Sequence, residues 1–207
     1  MGIHVVSTDE MTGIQAIERA ADKQLMKPRR VERVEFEYIR HGTTCLIANW
    51  HVAKGKILTP SLGTTRTEKD FAAHIERTID TDPEAGWIFL VDQLNTHQSE
   101  ALVRLVARAC HLELDLGVKG QSGILQSMLT RANFLADPTH RIRFVYLPKH
   151  SSWLNQIECW FSILVRRLLK RSSFLSTDDL QHQILKFIDY FNHAFAKPFI
   201  WKFEGFE

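Results

Sequence analysis

The hydrophobic pattern of the chain switches between a two-residue and a 3.6-residue period. Ile3-His4-Val5-Val6-Ser7-Thr8 is short and β-branched, reads as a strand, and runs directly into the acidic pair Asp9-Glu10. A polar stretch follows. Thr43 to Val52 and Ile57 to Leu62 then predict a β-hairpin turning around Ala53-Lys54-Gly55-Lys56. Thr67 to Asp70 has the form of a helix N-terminal capping signal, and Phe71, Ile75 and Ile79 recur at helical spacing until Asp82-Pro83. Trp87 to Val91 is a continuous apolar run, the pattern of a strand covered on both faces, and it ends at Asp92.

Ser99 to Cys110 carries Leu102, Leu105, Val106 and Ala109 on one side, which predicts a helix packed on the sheet. From Leu116 to His140 the pattern weakens. Gly117, Gly120 and Gly123 open this stretch, a short helix around Ile124 to Phe134 follows, and Asp137-Pro138 closes it, so 116–140 reads as an insertion. Ile142 to Leu147 is again strand-like and leads through a Pro148 to Trp153 turn into a long helix from near Leu154. At about 100° per residue, Leu154, Ile157, Phe161, Leu164, Val165 and Leu168 form its buried stripe, with Asn155, Glu158, Ser162 and Arg166 on an adjoining polar face. A last amphipathic helix spans Asp178 to His193, capped by Ser176 or Thr177. The order of elements predicts an α/β mixed sheet flanked by helices.

The length of 207 residues suits one substantial core, and no linker-like composition break divides the chain, so a single domain over 1–207 is expected. No apolar run approaches the roughly 20 residues of a membrane span, and the N-terminus lacks a secretory pattern, which makes cytoplasmic the expected location. Cys45, Cys110 and Cys159 are odd in number and form no C-x-x-C pair, so neither a disulfide framework nor a zinc ribbon is expected. The net charge of +2 says little about partners. Its distribution says more, because positive residues gather at Lys27, Arg29, Arg30 and Arg33, and again at Arg166, Arg167, Lys170 and Arg171.

Three acids stand out by position: Asp9 after the first strand, Asp92 after the central strand, and Glu158 in the first turns of the helix after Pro148. Two-metal phosphoryl transfer needs carboxylates from separate rigid elements, since hard cations take oxygen ligands and sit about 3.5 to 4 Å apart. A strand-end Asp taken alone is more often a turn or helix cap. Competing motifs are weak. Gly117 to Gly123 lacks the Gly-Lys-Ser/Thr ending of a phosphate loop and misses the G-x-S-x-G nucleophile elbow by one position. The ten histidines include no paired zinc spacing. Trp153 and Trp160 are candidates for base stacking, and Phe161 for the core.

The local sequences narrow the choice. Val91-Asp92-Gln93-Leu94-Asn95-Thr96-His97 resembles the second-acid motif of mariner-like bacterial insertion-sequence transposases, members of the DDE superfamily endonucleases. The stretch from Pro148-Lys149-His150 through Trp153-Leu154-Asn155-Gln156-Ile157-Glu158 to Phe161 resembles their third-acid motif, and Ser7 to Ala16 resembles the segment with the first acid. The resemblance runs from the first strand to the closing Lys197-Pro198-Phe199 and Trp201 to Gly205. It implies a ribonuclease-H-like fold, with Asp9, Asp92 and Glu158 as catalytic residues that hold two divalent cations, Mg²⁺ or Mn²⁺. Glu10 competes with Asp9, and because adjacent strand residues face opposite ways only one should reach the shared site.

The resemblance further implies cleavage of double-stranded DNA at transposon ends, strand transfer into target DNA, and a homodimer or higher assembly on DNA in a bacterial, nucleoid-associated setting. Asn95, His97, His150 and Asn155 are supporting candidates, with His97 and His150 suited either to orienting the scissile phosphate or to a structural hydrogen bond. Lys119, Lys149, Arg166, Arg167 and Lys170 are candidate DNA contacts. Two departures from the family pattern stand out. Glu158 lies 66 positions after Asp92 (158 − 92), more than is usual, and Met1 lies only eight before Asp9, leaving no upstream helix-turn-helix region. A non-cutting remnant that binds DNA or a partner subunit is the alternative reading, and another ribonuclease-H-like nuclease is a third.

Overall fold

The computed structural model describes residues 2–20, 28, 37–149 and 151–200. The cationic residues Lys27, Arg29, Arg30 and Arg33, along with His150 and the closing 201–205 stretch, lie outside the described residues. Five strands form one sheet in the order β3-β2-β1-β4-β5. The strands are β1 (Ile3–Arg19), β2 (Tyr38–His51), β3 (Lys56–Gly63), β4 (Gly86–Val91) and β5 (Ile142–Tyr146). β1, β2 and β3 pair antiparallel, and β4 and β5 run parallel to β1.

β1 is much longer than its sequence suggests, and Asp9 therefore lies inside a strand instead of at its end. The parallel ladder to β4 stops at Ser7 opposite Leu90, whereas the antiparallel ladder to β2 continues to Arg19 opposite Tyr38. Gly13 adopts φ +64° where the register shifts between Met11 and Ile14, a bulge that needs the left-handed region and interrupts the alternation of side chains. What ends near Asp9 is the β4 flank of the strand, and this opens the rim of the sheet there.

Helices cover both faces. On one lie α1 (Glu68–Ile79), α2 (Glu100–Ala109) and α3 (Met128–Leu135), packed on a core that includes Val6, Ile47, Phe71, Phe89, Leu102 and Phe144. On the other lie α4 (Gln156–Leu164) and α5 (Thr177–Ala194), over Ile14, Leu46, Trp50, Trp160, Ile184 and Phe191. Thr67 caps α1 in a reciprocal capping box with Asp70, as its sequence predicts. β4 is buried on one face only, through Trp87, Phe89 and Val91, while Ile88 and Leu90 are half-buried.

The glycine-rich 116–140 stretch is packed into the first core. Leu125 and Leu135 are fully buried, and the Arg131 guanidinium donates to the carbonyls of Gln98 at 2.6 Å and Leu125 at 3.1 Å. α4 starts at Gln156, after a 3₁₀ turn at Ser152–Leu154, and continues beyond Leu164 as a π-helical turn over Val165–Leu169. Trp160 belongs to its buried stripe with Ile157, Phe161 and Leu164, so it is a core residue and not a stacking platform. Among the described residues no helix is long and apolar enough to cross a membrane.

Candidate active site

The open rim is built from β1, the segment after β4, and the start of α4. The pleat of β1 sends Ser7 and Asp9 toward α4, and Thr8 and Glu10 toward α1. On the α4 side, Asn155 is the organising residue. It precedes the first turn of α4 and is 1% exposed, which corrects its predicted place on the polar face of that helix. Its amide nitrogen donates to the Thr8 carbonyl and to Oδ2 of Asp9, both at 3.1 Å. Its amide oxygen accepts from Ser7 Oγ, which in turn accepts the backbone N–H of Ile157 at 2.9 Å. These bonds fix the start of α4 against β1 and satisfy an N-terminal N–H of the helix.

Asp9 is 8% exposed, and burial pushes its carboxyl up to about 7, opposed by the Glu10 N–H donated to Oδ1 at 2.8 Å and assisted by the charges of Asp92 and Glu10. Glu158, exposed in the first turn of α4, is raised by partial burial and then by the charge of Asp92. Asp92 thus sits within electrostatic reach of both other acids. Its own carboxyl is held low, chiefly by its hydrogen bond from His97, with Leu94 N–H and the charge of Arg66 helping.

On the α1 side, His97 is enclosed. Its side chain has 0% exposure, Nδ1 faces Oδ1 of Asp92 at 2.7 Å, and Nε2 faces Glu10 Oε2 at 3.1 Å. Burial acts to lower its pKa, but the two carboxylates outweigh it and carry the ring up to about 9. A ring so placed cannot touch a scissile phosphate, so of the two roles expected for His97 the structural bond is the one present. Glu10 and Asp9 do face opposite ways, yet Glu10 still reaches the site through His97.

The remaining candidates divide by location. Asn95 is exposed at the start of a 3₁₀ turn, Asn95–Gln98. Lys149 is exposed just beyond β5, two residues after Leu147, whose N–H continues the ladder to the Val91 carbonyl at 2.8 Å. Arg166 and Arg167 are exposed on the π-turn, with the Arg167 guanidinium 4.9 Å from the centre of the Phe195 ring, and Lys170 ends that turn. Lys119 is half-exposed and lies 3.6 Å from Glu68 and 3.7 Å from Glu100, which share its charge. Two contributors escaped the sequence reading: Arg66, whose charge reaches Asp92, and Glu10 acting through His97.

The donor set suits a hard divalent cation. It is made of carboxylate oxygens, it carries more negative than positive charge, and the burial of Asp9 leaves its anionic form in want of a counter-charge. The coupling runs pairwise through Asp92. Among the described residues no three His, Cys, Asp or Glu side chains are gathered closely enough to enclose one ion.

The strand order, with β1, β2 and β3 forming an antiparallel meander and β4 and β5 added parallel on the other side of β1, and acids at the rim, defines a ribonuclease-H-like α/β fold. The sequence model for "DDE superfamily endonuclease" matches residues 4–181, and the chain belongs to that family. Among solved structures it is similar to the Mos1 mariner paired end complex with Mn, at 15% identity and TM-score 0.55, over 89% of this chain and 48% of that one. It is likewise similar to a pre-cleavage Mos1 transpososome, at 13% identity and TM-score 0.56, over 89% and 48%. At these identities the likeness is one of fold, and the chain spans about half the length of the solved relatives it matches. No curated protein matches it significantly.

Proposed function

We propose that this chain is the catalytic part of a DNA transposase that cuts phosphodiesters at transposon ends and joins the freed 3′-hydroxyl to target DNA. What supports the reading is the match to the DDE superfamily endonucleases over residues 4–181, together with Asp92 lying within electrostatic reach of two further acids, Asp9 on β1 and Glu158 on α4. Asp9 and Asp92 would hold one divalent cation, Mg²⁺ or Mn²⁺, and Glu158 with Asp92 a second. Bound there, the cations would activate the attacking oxygen and stabilise the leaving one. The protein's share is positioning. Asn155 orients Asp9, His97 orients Asp92, and the first turn of α4 presents Glu158 toward the rim. Lys149, Arg166 and Arg167 supply positive charge for the DNA backbone. The similar structures, a paired end complex and a transpososome, favour a protein assembled on DNA as a dimer or higher multimer.

The test is nicking of a duplex that carries the element's ends, with Mn²⁺, by this chain or the longer protein containing it. Glu158→Gln should abolish nicking without changing the melt, and equal activity in the variant removes Glu158 from the mechanism. A second reading, a fold kept for DNA or subunit binding without cutting, is favoured by the pairwise arrangement of the acids. Metal-indifferent DNA binding with no nicking by the wild type would establish it.

A further inference from the structure

Glu10 and His97 come from different motifs and meet in the interior, 87 positions apart in sequence. Their side chains have 1% and 0% exposure, so neither can contact DNA. An unpaired carboxylate buried in this way would be costly. Here it faces His97 Nε2, and the opposite ring nitrogen faces Asp92 Oδ1. The ring is further held by Phe71, whose centroid lies 4.3 Å away, and the Tyr146 hydroxyl donates to the His97 carbonyl at 2.9 Å. Oδ1 of Asp92 also accepts Leu94 N–H at 2.9 Å. Two donors on one oxygen fix the rotation of the carboxylate and leave Oδ2 as its ligand oxygen.

We propose that Glu10 and His97 are a buried positioning pair that holds the Asp92 carboxylate in register for cation binding. The two adjacent acids of β1 then serve one site from opposite faces: Asp9 at the rim, Glu10 through the ring of His97. This rests on the reading of Asp92 as a metal ligand. Groups that orient a ligand from behind set its affinity for metal, and their loss weakens binding by about 10–100-fold.

The experiment is Mn²⁺ titration followed by electron paramagnetic resonance on wild type, Glu10→Gln and Asp92→Asn. Glu10→Gln should raise the Mn²⁺ dissociation constant by about 10–100-fold. Nicking by the variant should recover substantially at saturating Mn²⁺, a split between apparent affinity and turnover that loss of fold would not give. Binding by Glu10→Gln within about twofold of wild type overturns the pair, while Asp92→Asn still separates it from the metal-site reading. If wild type and Asp92→Asn bind Mn²⁺ alike, the metal-site reading itself fails. Should Glu10→Gln not fold, the unmutated protein decides. The ring ¹⁵N signals of His97 should move on Mg²⁺ addition while those of His74, fully buried on α1, stay in place. Unmoved His97 signals overturn the proposal.

Discussion

The amide nitrogen of Asn155 donates to Oδ2 of Asp9 at 3.1 Å, across 146 positions of sequence. The same side chain takes the Ser7 hydroxyl and the Thr8 carbonyl, so one carboxamide ties the first motif to the third. Asn155→Ala would leave Ser7 and Asp9 short of partners in a dry setting, at about 1–3 kcal/mol for each group left unsatisfied. Denaturant unfolding should register that loss, and nicking should fall with it. Asn155→Asp should be worse for activity, because a second carboxylate against Asp9 forces one of the two to stay protonated. An alanine variant of wild-type stability would sink this account.

Stability should decline with pH in the presence of a chelator, in two windows. Asp9 keeps its proton in the fold up to about 7 but loses it near 3.8 when unfolded, so stability is lost as pH rises between these values. His97, raised from 6.5 to about 9, contributes fully below 6.5, and that contribution disappears as pH rises through 9. Asp9→Asn should therefore flatten the lower window and raise the melting temperature at pH 8, while removing metal binding. Thermal melts across pH, with EDTA and with excess Mg²⁺, check both signs.

The two tryptophans of the third motif should behave oppositely. Trp160 is fully buried, and Trp160→Ala should cost about 3–5 kcal/mol. Trp153 is 47% exposed, and Trp153→Ala should cost clearly less than Trp160→Ala. Trp160→Leu should keep DNA affinity, whereas a base-stacking residue would lose about 1–3 kcal/mol of binding on loss of its ring.

Arg166→Ala and Arg167→Ala should weaken DNA binding on any sequence and lower the slope of log K against log salt by about 0.9 for each phosphate contact removed. Lys119→Ala should change both less than either arginine variant, since Glu68 and Glu100 already share its charge. Fluorescence anisotropy over a salt series distinguishes the two cases.

Asp92 was readable because a run of five apolar residues announces the strand before it. Asp9 was misplaced relative to its strand, since the bulge at Gly13 breaks the alternation that would have extended the strand to Arg19. The Glu10–His97 contact depends on how β1 and β4 register, which no local pattern encodes. The π-turn after Leu164 was equally hidden, because the propensities that mark a helix do not distinguish its hydrogen-bond period. Trp160 could have been placed from spacing alone, being three residues from Ile157 and four from Leu164. The glycines of the 116–140 stretch masked a segment that reaches the core through Leu125.

Because β1 outruns β4 beyond Ser7, the sheet leaves a gap on that flank of β1, next to the chain leaving Asp92. The ladders on either side are complete without it. The connection from Asp92 to Asn95 must keep its length, because Leu94 N–H reaches back to Asp92 Oδ1 and Gln93 Nε2 crosses to the Leu147 carbonyl, so an inserted residue would turn the acid without disturbing any strand.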